Sequence, residues 1–121
     1  MNSYQKGREG EDQAVLYLKK LGIEIIKRNF KCHAGEVDII CVKGNILKFV
    51  EVKNWDSHPF SEMEYAVNRR KQTRIIQTSK FFLNGSKRYF NFSIQYDVLW
   101  ISGEGKEITY LEGAFTETGA A

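Results

Sequence analysis

The sequence predicts an α/β sandwich: a mixed central β-sheet flanked by helices. Three observations carry that reading. Segments 4–21 and 61–84 place apolar residues at helical spacing. Around them lie short runs rich in Val, Ile and Phe, closed by turn residues, as strands are. The second helix separates two of those runs, which makes a right-handed βαβ crossover with parallel strands. The element order is α-β-β-β-α-β-β, and such an order packs helices on the faces of one sheet.

The first helix, 4–21, ends at Gly22, a residue suited to a C-terminal cap. Ile23 to Phe30 forms a short strand. Glu36 to Val42 and Ile46 to Lys53 form two more, joined by a Gly44-Asn45 turn. Ser61 with Glu64 fits a capping box that opens the second helix, which stops at Gly85. Phe92 to Ile101 is the fourth strand. After the turn Ser102-Gly103-Glu104-Gly105 comes a fifth, Glu107 to Leu111. Residues 1–115 make one domain, and 116–121 are expected to be a flexible tail.

With 121 residues, the chain has one domain's worth of sequence and can bury a core without metal or disulfide staples. It is 42% hydrophobic and 27% charged, an ordinary globular composition. No apolar run is long enough for a membrane span, and the opening MNSYQKGREGEDQ has no signal-peptide core. A cytoplasmic protein is expected, with no membrane partner. Cys32 and Cys41 are nine positions apart and lack a CxxC partner, so reduced structural thiols are expected. The net charge of +3 gives weak support for a polyanionic partner.

The hairpin can be registered from its turn. With Gly44 and Asn45 as a two-residue loop, Lys43 pairs with Ile46, Ile40 faces Phe49, Asp38 faces Glu51 and Glu36 faces Lys53. One face then carries Val42, Ile40, Leu47 and Phe49 near the turn, with Asp38, Glu51, Lys53 and Glu36 at the open end. The other carries Val37, Ile39, Cys41, Val50 and Val52. Asp38 and Glu51 come out directly opposed, with Cβ atoms roughly 5 Å apart. Like charges so placed destabilise a sheet. A shared proton, the neighbouring Lys53 or a divalent cation such as Mg²⁺ or Mn²⁺ could offset the repulsion.

Glu11 shares a helical stripe with Ala14, Val15, Leu18 and Leu21, so it faces the sheet at its rim, within reach of Asp38. Gly7 and Gly10 allow close backbone approach there. The bland alternative is a carboxylate favourable to the helix dipole. In the second helix, Ile75, Ile76, Ser79, Phe82 and Leu83 face inward. The stripe continues through the polar Tyr65, Asn68 and Gln72, with Lys71 at its edge. Arg69, Arg70, Arg74 and Lys80 point toward solvent and can hold phosphates.

GEVDII followed by FVEVK resembles the D…E-x-K signature of the PD-(D/E)XK nuclease superfamily, with Asp38, Glu51 and Lys53 in the motif positions. The wider frame is similar to the bacterial YraN-like family of predicted endonucleases. GREGEDQAVLYLKKLG, KRNF, GEVDII, FVEVK, Lys71 and YDVLWI carry that similarity, which runs from about Gly7 to Phe115. The resemblance implies a restriction-endonuclease-like fold, as in archaeal Holliday-junction resolvases, and divalent-metal phosphodiester hydrolysis. It implies Mg²⁺ or Mn²⁺ on Asp38, Glu51, the Val52 backbone carbonyl and Glu11, with Lys53 beside the attacking water. Arg69, Arg70, Lys71 and Arg74 would contact nucleic acid, DNA ahead of RNA. Gln72 would stand behind the ligands. Glu36 would either do the same or serve solubility at the hairpin end. Family members often carry arginine shortly after the E-x-K lysine and two before the later aspartate; here those places hold Asn54-Trp55 and Gln95.

His33 and His58 read as surface residues and Asp97 as structural. Trp55 and Tyr65 either stack on bases or pack. Three function classes stay open: a metal-dependent nuclease, a nucleic-acid-binding module without chemistry, and a protein-interaction subunit with a structural cation. Intact Asp38, Glu51 and Lys53 favour the first over the second, and absence of salt-sensitive nucleic-acid binding would favour the third. Whether the chain works as a homodimer is open.

Overall fold

The computed structural model describes residues 3–54, 68–102, 107–117 and 119–120. Helix α1 (Ser3–Lys20) leads into strands β1 (Glu24–Cys32), β2 (Gly35–Lys43) and β3 (Ile46–Asn54). Helix α2 (Arg69–Asn84), a 3-10 turn (Lys87–Tyr89) and strands β4 (Ser93–Ser102) and β5 (Glu107–Thr116) follow. Gly119–Ala120 pair with Phe115 and Thr116 as a two-residue strand β6, where the sequence reading placed a tail. The strands lie side by side in chain order. β3 and β4 are parallel, and the other neighbours antiparallel. The expected order α-β-β-β-α-β-β and the mixed sheet between helices are both found, consistent with a restriction-endonuclease-like fold. No helix among the described residues is long and apolar enough to cross a membrane.

Local chemistry sets the element ends. Gly22 takes φ +80°. Its N–H donates to Lys19 O at 3.0 Å and that of Ile23 to Leu18 O at 3.1 Å, a Schellman cap that turns the chain into β1. Ile23 is buried behind that turn, while Leu21, expected on the inner stripe, is 42% exposed. α2 opens on Asn68, whose side chain accepts the Lys71 N–H at 3.0 Å. The helix described therefore begins later than the Ser61 capping box suggested. Ser61, Glu64 and Tyr65 lie outside the described residues, as do Trp55, His58 and the turn residues 103–105.

Two cores sandwich the sheet. Ile40, Val42, Leu47 and Phe49 face α2, where Ile75, Ile76 and Phe82 meet them. Ile39, Cys41 and Val50 face α1, against Ala14, Val15 and Leu18. One expectation fails: Val37 packs on the α2 side and not with Ile39. Its partner Phe30 does the same, while Arg28, opposite Ile39, reaches toward α1. Both strands change face at one level, where Asn29 and Asp38 sit. Asn29 has φ +54°, a left-handed conformation that Asn tolerates better than most residues.

The α1 side also buries charge. Lys48, opposite Cys41, is 1% exposed, and its Nζ lies 3.3 Å from Asp97 Oδ2 and 2.6 Å from Glu112 Oε1. Asp97 further accepts from Tyr110 OH, from Gln95 Nε2 at 3.0 Å and from the Gly113 N–H at 2.9 Å. Burial, then the charge of Asp97, pushes the nearby Cys41 thiol up to about 12, so it stays a protonated apolar neighbour. Removing Lys48 strands the buried Asp97. Lys48→Met is expected to lose about 3–5 kcal/mol in urea unfolding, and Lys48→Met/Asp97→Leu to regain a large part of it. A Lys48→Met midpoint equal to wild type would show that the pair does not hold the fold.

Candidate metal centre at the end of β3

The β2–β3 ladder runs Lys43↔Ile46, Val42↔Leu47, Cys41↔Lys48, Ile40↔Phe49 and Ile39↔Val50, the register counted from the turn. It stops there, one pair short of Asp38 and Glu51. Alternate residues of a strand turn their N–H groups to the same neighbour, so Val52, two after Val50, presents its N–H toward β2. Asp38 Oδ2 accepts it at 2.8 Å in place of a backbone carbonyl. The carboxylate thus continues the ladder where the strands change face. The Val52 carbonyl turns the same way as its N–H, toward Asp38.

Glu51 is 7% exposed and faces the α2 side. Its carboxylate lies close enough to that of Asp38 for each to feel the other's charge. Burial first, and then the Glu51 charge, pushes the Asp38 carboxyl up from 3.8 to about 7; the Val52 N–H acts in the opposite direction. Two ammoniums flank the pair. Lys71 Nζ lies 3.0 Å from Glu51 Oε1, and Lys53 Nζ lies 3.8 Å from the same oxygen. Burial, reinforced by the neighbouring Lys71, lowers Lys53. Burial alone would lower Lys71, but the Glu51 carboxylate beside it favours the charged form, and its pKa is raised.

Glu11 is also buried, yet it is held differently. Its Oε1 accepts from Arg28 Nε at 3.1 Å and from Asn29 Nδ2 at 2.9 Å, so it clamps β1 at the level of Asp38. Its charge still reaches Asp38 and helps raise it. Gly10 makes this approach possible: a Cβ there would stand 2.8 Å from the Asn54 side chain at the end of β3. Glu36 stands apart, exposed and 3.9 Å from Lys31 across the β1–β2 pair. Gln72 accepts from Arg69 at 3.4 Å.

The predicted basic residues divide. Lys71, at the edge of the inward stripe, reaches Glu51. Arg69 donates to Glu117 O at 3.2 Å, beside the Lys80–Glu117 ion pair. Arg74 packs by Gly35 at the β1–β2 hairpin, where Lys31, His33 and Arg74 line an open groove of about 530 Å³. Arg70 lies one turn before Arg74 on α2. Sequence reasoning missed Trp100, paired with Lys53 on β4, whose buried indole N–H lacks a hydrogen-bond partner among the described residues. It also missed Lys48; a lysine opposite Cys41 on the apolar face of the registered hairpin was the available signal.

Two converging carboxylates, one pushed toward its neutral form by burial and by the charge of the other, present oxygens that are the hard donors Mg²⁺ and Mn²⁺ take. The residues fit such an ion. Among the described residues, no group of three His, Cys, Asp or Glu could hold a metal by itself. Remaining positions would fall to backbone and water, as is common for Mg²⁺.

A family model described as uncharacterised protein family UPF0102 matches residues 10–101. A UPF0102 protein of Clostridium perfringens is 38% identical over 121 residues, covering 95% of this chain and 98% of the relative. One from Dictyoglomus thermophilum is 39% identical, with 95% and 100% covered. One from Caldicellulosiruptor saccharolyticus is 36% identical over the same shares. These matches bear out the resemblance to the YraN-like family. Each name gives the family and no activity.

The raised Asp38 carboxyl has a consequence for stability. Between pH 3.8 and about 7 the folded protein holds a proton that the unfolded chain releases. Its stabilising effect is therefore full below that window and is lost as pH rises through it, by about 1.4 kcal/mol per pH unit. Asp38→Asn removes the dependence and keeps an acceptor for the Val52 N–H. In chelator-treated samples its stability relative to wild type should rise from pH 5 to pH 7 and then level off, leaving the variant more stable at pH 8. Urea melts at each pH check this; a pH-independent difference would refute the charged dyad.

Proposed function

The chain belongs to the uncharacterised protein family UPF0102, and on that premise we propose that it is a divalent-metal-dependent endonuclease. It hydrolyses phosphodiester bonds in nucleic acid, with DNA, including branched or structured DNA, ahead of RNA as substrate. One observation carries this reading: Asp38 and Glu51 meet in a half-buried site with Lys53 Nζ 3.8 Å from Glu51 Oε1.

Asp38 and Glu51 would hold Mg²⁺ or Mn²⁺, together with the Val52 carbonyl. A bound ion of this kind polarises a phosphoryl oxygen and lowers the pKa of its water. The Val52 N–H fixes one Asp38 oxygen and so orients the carboxylate. Lys53, on the strand next to Glu51, stabilises charge that builds on the phosphate. Glu11 acts through its grip on Arg28 and Asn29, which sets the level of β1 against Asp38. Arg70 and Arg74 hold phosphates without reading bases.

A module that binds nucleic acid without cutting it is the second reading. It is favoured by the cation partners that Glu11 and Glu51 already have in Arg28 and Lys71. A cleavage screen over branched, single-stranded and duplex DNA separates the two. Wild type should cut in Mg²⁺ or Mn²⁺ and not in chelator. Asp38→Asn and Lys53→Ala should each lose at least a hundredfold of that activity while keeping nucleic-acid affinity within a few fold. Arg70→Ala/Arg74→Ala should weaken binding on all sequences and flatten its salt dependence. Salt-sensitive binding with no metal-dependent cleavage of any substrate would establish the second reading.

A further inference from the structure

Glu51 has two lysines, and the one from the helix is nearer: 3.0 Å for Lys71 against 3.8 Å for Lys53. Only the first distance is within hydrogen-bonding range. Lys71 is therefore the main counter-ion of a carboxylate that is nearly buried. It occupies the side of Glu51 Oε1 that any cation bound there needs. Resting on the reading of this site as a divalent-metal centre, we infer that Lys71 holds the cation's place on Glu51 and gives it up to a nucleic-acid phosphate, so that metal and nucleic acid promote each other's binding.

Charge balance drives the exchange. Asp38 and Glu51 face Lys53 and Lys71, two carboxylates against two ammoniums. A divalent cation added to that set leaves two positive charges in excess. A phosphodiester arriving with the metal removes part of the excess, and departure of one ammonium removes more. Lys71 is the one free to leave. Its side chain is 39% exposed, against 23% for Lys53. It stands in the first turn of α2, one residue from Arg70, and a four-carbon stem lets its ammonium swing outward. Lys53 stands near the end of β3, its backbone held in the ladder opposite Trp100 of β4. By linkage, whatever draws Lys71 off Glu51 must strengthen metal binding, and metal must in turn strengthen phosphate binding.

Mn²⁺ binding to the full chain, measured by titration calorimetry with and without a short phosphorothioate single-stranded DNA that resists cleavage, tests the exchange. Lys71→Met should bind Mn²⁺ about tenfold tighter than wild type when no oligonucleotide is present. The oligonucleotide should tighten Mn²⁺ binding by wild type and have little effect on the variant. Lys71→Gln should repeat both results and serves if Lys71→Met does not fold. With no oligonucleotide present, Arg74→Met loses the same charge without touching Glu51 and should shift Mn²⁺ affinity by less than about twofold. Equal affinity in wild type and the Lys71 variants, a coupling that survives in them, or an equal gain in Arg74→Met overturns the exchange and leaves the metal reading standing. No Mn²⁺ binding by wild type or either Lys71 variant overturns the metal reading itself, and the exchange with it.

Discussion

Between Lys43 and Ile46 the chain has two residues in which to reverse, and Gly44 at φ +60° lets it do so. That turn removes any freedom in how β2 meets β3. A shift of one residue would carry every side chain of the hairpin to the opposite face. Phe49 and Leu47 would then leave the α2 core, Val50 the α1 core, and Lys48 would lose Asp97. The same register brings Asp38 to the level of Glu51. The apolar residues near the turn, each worth about 1.5–3 kcal/mol when buried, hold the charged residues at the open end in place. The site is built by strands whose alignment is decided by the opposite end of the hairpin.

Both faces of this sheet bury charge, in opposite ways. On the α1 side Lys48, Asp97 and Glu112 are of alternating sign, and Tyr110, Gln95 and the Gly113 N–H fill the rest of the Asp97 acceptor sites. That cluster is complete and requires nothing from outside. On the α2 side two carboxylates meet, and burial together with their repulsion drives the Asp38 carboxyl toward neutrality. A satisfied network fixes a unique core, whereas a like-charge pair is sustained only where something else is gained. The contrast gives the first cluster a structural place and is the ground on which the second is proposed as the site of chemistry. Gln95 belongs to the first: it donates to Asp97 and fills a structural place.

Elements set by near neighbours in the chain were legible. The Gly22 cap, the Gly44-Asn45 turn, the hairpin register and the apolar stripe Ala14, Val15, Leu18 follow from spacing alone, and the structure shows each of them. What escaped depends on contacts distant in sequence. Lys48 meets Asp97 and Glu112 only after β4 and β5 are laid beside β3. Val37 leaves its expected face because Asn29 takes a left-handed turn in the neighbouring strand, which no alternation pattern encodes. Spacing puts Lys71 at the edge of the inward stripe of α2, and its contact with Glu51 depends on how that helix is laid against β3. With Asn68 as the cap, Lys71 falls in the first turn, at the end of the helix that meets Glu51.

Asp38 is held by the backbone as well as by its neighbours, which decides what the site can do. Were its position set only by attraction to a cation, loss of the cation would let the two carboxylates swing apart into solvent. Instead Oδ2 is fixed by the Val52 N–H at 2.8 Å, a ladder bond in all but the identity of its acceptor. Moving Asp38 away would leave that buried N–H unpaired, at a cost of about 1–3 kcal/mol. The repulsion from Glu51 is thus opposed by the sheet's own hydrogen bonding. It is met at Glu51 by lysines and at Asp38 by a raised affinity for a proton. A pair kept together in this way is already converged, so an ion taken up as proposed would find its two carboxylates in place. Preorganised donors of this kind give electrostatic catalysis its leverage, because the reorganisation is already done when charge begins to move.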